Sequence, residues 1–131
     1  MKKTACMLLA CLFLLLSGCG PKTEEPMEEA YMNITPEEAK RIMDTETGYV
    51  ILDVRTEAEF AERHIPGAIL IPDYELAERA EAELPDKDQM ILVYCRSGRR
   101  SKNAAQILVS LGYTKIREFG GIIDWPYDTT S

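Results

Sequence analysis

The chain is poor in basic residues, in long apolar runs and, beyond its first nineteen residues, in cysteine. Its 131 residues carry 15 Lys and Arg against 22 Asp and Glu, a net charge of −7. That balance excludes a broad nucleic-acid face, because phosphate recognition needs a basic surface. At this length one domain is expected rather than a multidomain enzyme, and a composition 46% hydrophobic and 28% charged is that of one ordinary globular domain. No internal repeat or low-complexity segment stands out. The longest apolar run, 5–16, has 12 residues. It is too short to cross a bilayer comfortably and suits the apolar region of a signal peptide.

Lys2 and Lys3 precede that run, and Leu16-Ser17-Gly18-Cys19 follows it. The tetrapeptide resembles a bacterial lipobox, in which cleavage falls before the cysteine and a lipid is joined to its sulfur. The expected organisation is a leader over 1–18 that is removed, a lipidated N-terminus at Cys19 with a linker to 30, and a folded domain over 31–131. Membrane contact would then run through the Cys19 lipid. The domain would lie on the extracytoplasmic side of a bacterial envelope, at the outer face of the plasma membrane or, where there are two membranes, at the outer one. Loss of 18 residues, with Lys2 and Lys3 but no acid, leaves 113 residues and a net charge of −9. The segment 20–30 is acidic, contains Pro21 and Pro26, and holds too little apolar surface to fold alone. It reads as a spacer. With Cys6 and Cys11 in the leader and Cys19 lipidated, Cys95 is left as the one thiol, so no intrachain disulfide is expected. An unpaired thiol in an oxidising compartment asks to be read as a reactive group.

Beyond the spacer, short apolar runs alternate with amphipathic stretches, the pattern of a parallel sheet with crossover helices. Strands are expected at 31–34, 50–54, 68–71, 90–94 and 115–119. The second and fourth are almost continuously apolar and should be central. Thr35, Pro36, Glu37 and Glu38 supply an N-cap, a first-turn proline and first-turn acids, opening a helix to about Thr45. Further helices are expected over 57–63, 73–84 and 100–111, the last with an apolar stripe of Ala104, Ala105, Ile107, Leu108 and Leu111. The fold class is α/β.

The segment richest in chemistry is a buried strand that ends in Cys95, a glycine-containing loop, and then a helix. Loop amides and the helix start would point at the sulfur, and the helix dipole would favour a thiolate. Arg96, Arg99, Arg100 and Lys102 place four cations within seven residues of Cys95, as in an anion-binding mouth. The alternative is an inert strand-end cysteine beside a solvated basic face.

Several blocks resemble the single-domain rhodanese-like sulfurtransferases. Cys95-Arg96-Ser97-Gly98-Arg99-Arg100 is similar to that family's six-residue active-site loop. Asp53-Val54-Arg55 resembles its Asp-x-Arg strand end, Glu59-Phe60 with His64-Ile65-Pro66-Gly67 a second block, and Gly120-Gly121 with Trp125 its closing Gly-Gly-x-x-x-Trp. Arg63, where the family often has glycine, and Pro126 depart from the pattern. The resemblance implies a three-layer domain with a mostly parallel five-stranded sheet and helices on both faces. It also implies sulfane-sulfur transfer through a Cys95 persulfide, from thiosulfate or a similar donor to cyanide or a thiol, with no metal or organic cofactor. Arg96, Ser97, Gly98, Arg99 and Arg100 would bind the substrate and stabilise its charge, with Arg100 turned more toward the domain. Asp53 and Arg55 are expected as a structural ion pair near the site, His64 as a structural residue, and Gly120-Gly121 with Trp125 as a turn and packing lid. Rival readings are a persulfide carrier or binding module without turnover, and a cysteine-dependent phosphatase or arsenate reductase. The phosphatases resemble Cys-x5-Arg, whereas here arginine falls at the fifth position after Cys95.

Overall fold

The computed structural model describes residues 30–131, so the leader, Cys19 and nearly all of the linker lie outside the described residues. The elements run β1 (Met32–Asn33), α1 (Pro36–Thr45), β2 (Val50–Asp53), α2 (Glu57–Glu62), β3 (Ile69–Leu70), α3 (Asp73–Glu83), β4 (Met90–Cys95), α4 (Arg99–Ser110) and β5 (Lys115–Gly121), followed by a 3₁₀ turn, Ile122–Asp124. One five-stranded sheet has the order β1-β5-β4-β2-β3. Every pairing in it is parallel.

The central position of β2 and β4 follows from their lack of a polar face. Along β4, Ile91, Val93 and Cys95 point into one layer, while Leu92 and Tyr94 point into the other. The first layer is completed by Leu76, Ala80 and Leu84 of α3 and its edge, and by Ala104, Ala105 and Leu108 of α4. The second is completed by Ala39 of α1 with Phe119, Ile122 and Trp125. With both faces covered, alternation disappears from the sequence and continuous apolar runs replace it.

Helix starts are set by side chains. Thr35 Oγ1 accepts the Glu38 amide hydrogen (3.1 Å) and Glu38 Oε2 accepts that of Thr35 (2.8 Å). Thr56 and Glu59 form the same reciprocal pair at α2. Each box satisfies two donors that a helix start leaves open. Helix α4 begins differently, on Gly98 with φ of +104°, a conformation that disfavours any residue with a Cβ.

One expectation needs correction. Gly120 and Gly121 form the end of β5 rather than a turn, and Gly121 pairs with Cys95 across the sheet after an irregularity between Val93 and Cys95. The reason is steric. A Cβ on Gly121 would overlap the Arg96 carbonyl, and the Arg96 oxygen accepts a hydrogen bond from the Ile123 amide (3.2 Å). Glycine lets the strand pass directly under the loop. Trp125 is a core residue of the α1-side layer, tilted against Phe119 with ring centroids 5.6 Å apart.

Candidate active site

Strand β4 carries Cys95 to the C-terminal edge of the sheet, where parallel α/β domains place their sites. The side chain is 1% exposed. Its Sγ accepts the Gly98 amide hydrogen at 3.0 Å, and the Ser101 hydroxyl lies 3.4 Å away. Gly98 also holds the first turn of α4, its carbonyl accepting the Lys102 amide hydrogen (3.2 Å). The sulfur therefore sits at the mouth of the helix that follows it.

The cations of the loop divide. Arg100 forms a two-pronged pair with Glu59, at 2.8 and 2.9 Å. That hydrogen bonding holds the Glu59 carboxyl down at about 2 against the opposing effect of burial, helped by the Thr56 amide. Arg100 is raised, first by the same hydrogen bond and, against the cost of burial, by the Glu59 charge. Its guanidinium ties the start of α4 to α2. Arg96 and Arg99 are exposed. Arg96 lines a depression of about 270 Å³ with Arg55, Glu59, Glu62, Arg63 and Ile122–Ile123. Ser97 and Gly98 line a separate groove of about 560 Å³ on the other flank, together with Lys102, Glu118, Gly120 and Asp124. The loop thus stands between two openings, a guanidinium-rich one and a mixed one.

Asp53 and Arg55 form a closed network beneath this edge. Arg55 Nη2 donates to Asp53 Oδ2 (2.7 Å) and to the Arg63 carbonyl (2.7 Å), and the Tyr94 hydroxyl donates to the same Asp53 oxygen (2.6 Å). The Ile65 amide in turn donates to the Tyr94 oxygen (3.1 Å). Burial works against the Arg55 charge, but the Asp53 carboxylate overcomes it and the guanidinium is raised. Tyr94 is pushed above its ordinary range by burial and by Asp53. These groups hold one another. His64 is engaged with the chain as well, with Nδ1 2.8 Å from the Phe60 carbonyl, its ring stacked on Phe60, and its backbone paired with Thr130.

Residues 35–126 match the family model described as Rhodanese-like domain. The chain belongs to this family. It is 41% identical over 73 residues to the thiosulfate sulfurtransferase PspE of Escherichia coli, covering 56% of this chain and 70% of that one. It is 32% identical over 120 residues to the adenylyltransferase and sulfurtransferase UBA4 of Candida albicans, covering 86% of this chain but only 27% of that much longer protein. A solved structure described as rhodanese with anions from E. coli superposes with a TM-score of 0.60 at 36% identity, over 63% of this chain and 98% of that one.

Two residues of this rhodanese-like site went unread in the sequence. Ser101 is fully buried, and Glu118 of β5 is 2% exposed. The Ser101 hydroxyl donates to Glu118 Oε1 at 2.6 Å, and the Gly120 amide donates to the same oxygen at 2.8 Å. Serine three positions into a helix start is common. What marks Glu118 is an acid between Ile116 and Phe119, in a strand the sheet buries on both sides. Only the pairing of Val93 with Glu118 brings it beside Cys95.

Proposed function

We propose that this domain moves a sulfane sulfur from thiosulfate or a similar donor, through a persulfide on Cys95, to a thiol or to cyanide. The Cys95 thiolate attacks the outer sulfur of thiosulfate, a new S–S bond forms, and the old one breaks with its electron pair leaving on sulfite. The acceptor nucleophile then takes the outer sulfur and returns Cys95 as thiolate. Splitting the transfer in two replaces one difficult step with two easier ones. The observation that carries this reading is Cys95 Sγ, held by the Gly98 amide at the head of a helix, in a loop that also carries Arg96, Arg99 and Arg100. Amide and helix favour negative sulfur, while the exposed Arg96 and Arg99 are free to meet a dianion with forked hydrogen bonds. Family membership and a relative named as a thiosulfate sulfurtransferase support it.

The loop disfavours phosphatase chemistry. The sixth residue after Cys95, where a phosphatase loop has its arginine, is Ser101, buried and bonded to Glu118, and the fifth, Arg100, is committed to Glu59. The test is thiocyanate formation from thiosulfate and cyanide, beside Cys95→Ser, with intact mass taken after thiosulfate alone. Turnover and a gain of one sulfur by wild type, and neither by the variant, is the expected result. A sulfur adduct without turnover would make the protein a carrier that needs its own acceptor. Neither from folded, reduced protein would overturn sulfur transfer altogether.

For location, the reading is a lipid on Cys19 that tethers the domain to the outer side of a bacterial membrane, the acidic linker holding it off anionic headgroups. Fatty-acid labelling that Cys19→Ala abolishes, with release of the domain into the soluble fraction, is the expected outcome. Unlabelled protein that stays with the membrane would sink the tether.

A further inference from the structure

A hydrogen count at Ser101 points to a role for Glu118 that the loop alone does not supply. The Ser101 hydroxyl carries one hydrogen. Around its oxygen stand Glu118 Oε1 at 2.6 Å, the Gly98 carbonyl at 3.0 Å, the Gly120 carbonyl at 3.3 Å and Cys95 Sγ at 3.4 Å. The shortest contact takes the hydrogen, so Ser101 donates to Glu118 and turns a lone pair to the Cys95 thiol. The resting arrangement is a directed chain, S–H to hydroxyl to carboxylate. All three side chains are buried.

That chain cannot stay as it is once Cys95 ionises. A thiolate and a carboxylate would then compete for one hydrogen inside the protein, and like charges in one buried site do not ionise together. Among the described residues no Lys or Arg forms an ion pair with Glu118. The charged groups facing the couple are Arg100, already held by Glu59, on the cysteine side, and Lys102 and Asp124 lining the groove on the Glu118 side.

We propose that Cys95 and Glu118 share a single proton through Ser101, so that Glu118 is the internal acceptor of the thiol proton. The thiol hydrogen passes to Ser101 Oγ while the Ser101 hydroxyl hydrogen passes to Glu118 Oε1. The result is a thiolate that accepts from Ser101, a neutral carboxyl that donates to Ser101, and no change in buried charge. The Gly120 amide remains on Oε1 throughout. Glu118 touches neither donor nor acceptor, so it is a positioning residue that acts through Ser101. The role in turnover rests on the sulfur-transfer reading: Glu118 keeps the proton while the persulfide exists and returns it when the acceptor has left with the sulfur.

The sharing itself is measurable without any sulfur donor. In the full chain, alkylation by iodoacetamide is followed on the Cys95 peptide by mass spectrometry across pH, for wild type and Glu118→Gln. The wild-type rate should rise in two steps, the lower one reporting thiolate with the proton on Glu118, the upper one loss of the last proton. Glu118→Gln should show one step, below the wild-type upper step by about one pH unit or more. Should that variant fail to fold, the infrared spectrum of reduced wild-type protein between the two steps decides. A protonated-carboxyl band whose intensity follows the thiolate absorbance, beside the carboxylate band of the thiol form, is expected. A one-step wild-type profile that Glu118→Gln leaves in place, or thiolate without a protonated carboxyl, would overturn the proposal. Intact mass after thiosulfate is recorded separately, so a domain that shares the proton yet takes no sulfur fails the functional reading and not this one.

Discussion

Two buried acids stand at the same edge of the sheet and are treated in opposite ways. Asp53 is fully buried against Arg55, itself 3% exposed, and receives hydrogen bonds from the Arg55 backbone and side chain and from Tyr94. Glu118 has a serine, a glycine amide and, among the described residues, no ion-pair partner. The first arrangement balances charge with charge and fills every lone pair it can, which makes it rigid. The second leaves its charge to be balanced by a proton, which makes it responsive. The same residue class, on two strands that flank β4, thus serves architecture in one place and chemistry in the other.

The largest expected contrast is between Cys95→Ser and Asp53→Asn. Serine is close in size to cysteine, so the fold should be retained while sulfur loading and thiocyanate formation fall to background. Asparagine at 53 should do the reverse, leaving the Arg55 charge buried without its partner. Removing one member of a buried pair costs about 3–5 kcal/mol, and urea unfolding should show a midpoint lowered accordingly. A midpoint unchanged by Asp53→Asn would mean that the network is wet and the comparison with Glu118 false. Glu118→Gln keeps the shape and the hydrogen bonds of the site, so its stability loss should be the smaller of the two.

Next in size is Gly121→Ala, which tests how tightly the strand holds the loop. The new methyl group would overlap the Arg96 carbonyl and crowd Ser97, both backbone, so the loop has to move. Overpacking of this kind costs about 1–3 kcal/mol. Because the displaced backbone leads into Gly98, the hydrogen bond to Cys95 Sγ should loosen too, and sulfur loading should slow along with the lowered unfolding midpoint. Loss of stability with loading unchanged would separate the loop's anchoring from its chemistry.

What was legible in the sequence follows from how local the determinants are. β2 and β4 were readable because burial on both faces leaves a continuous apolar run, and α1 because Thr35, Pro36 and Glu38 carry its start within four residues. The outer strands were over-read: 31–34 and 68–71 contribute only Met32–Asn33 and Ile69–Leu70 to the sheet, since an edge strand pairs on one side and ends as soon as its neighbour turns away. Cys95 and its loop were readable because strand, thiol, glycine and cations are consecutive. Glu118 was not. It lies 17 residues beyond Ser101, and its meaning depends on the β4–β5 register, which no spacing in the sequence encodes. Gly121 reads as a turn residue in the sequence, because glycine in a turn and glycine under a crossing backbone look alike until the other strand is in place.

The smallest effect concerns an acid between the two extremes, Glu59, whose partner Arg100 is only partly buried. Glu59 is held at about 2 in the folded domain, against 4.5 ordinarily, because Arg100 grips both carboxylate oxygens and the Thr56 amide donates to one of them. A folded value below the unfolded one means that the carboxylate adds stability above about pH 4.5, and that this contribution drains away as pH falls toward 2. With side chains 25% and 30% exposed, solvent screens the pair, so the amount at neutral pH should be about 1–2 kcal/mol, less than the full shift implies. Acid titration of unfolding free energy should therefore slope between these limits in wild type and more gently in Glu59→Gln, while at pH 7 the variant is the less stable of the two. Equal slopes would mean that Arg100 pairs with Glu59 only transiently. Arg100 would then be available to the substrate alongside Arg96 and Arg99, and the loop's cations would no longer divide into those that build it and those that use it.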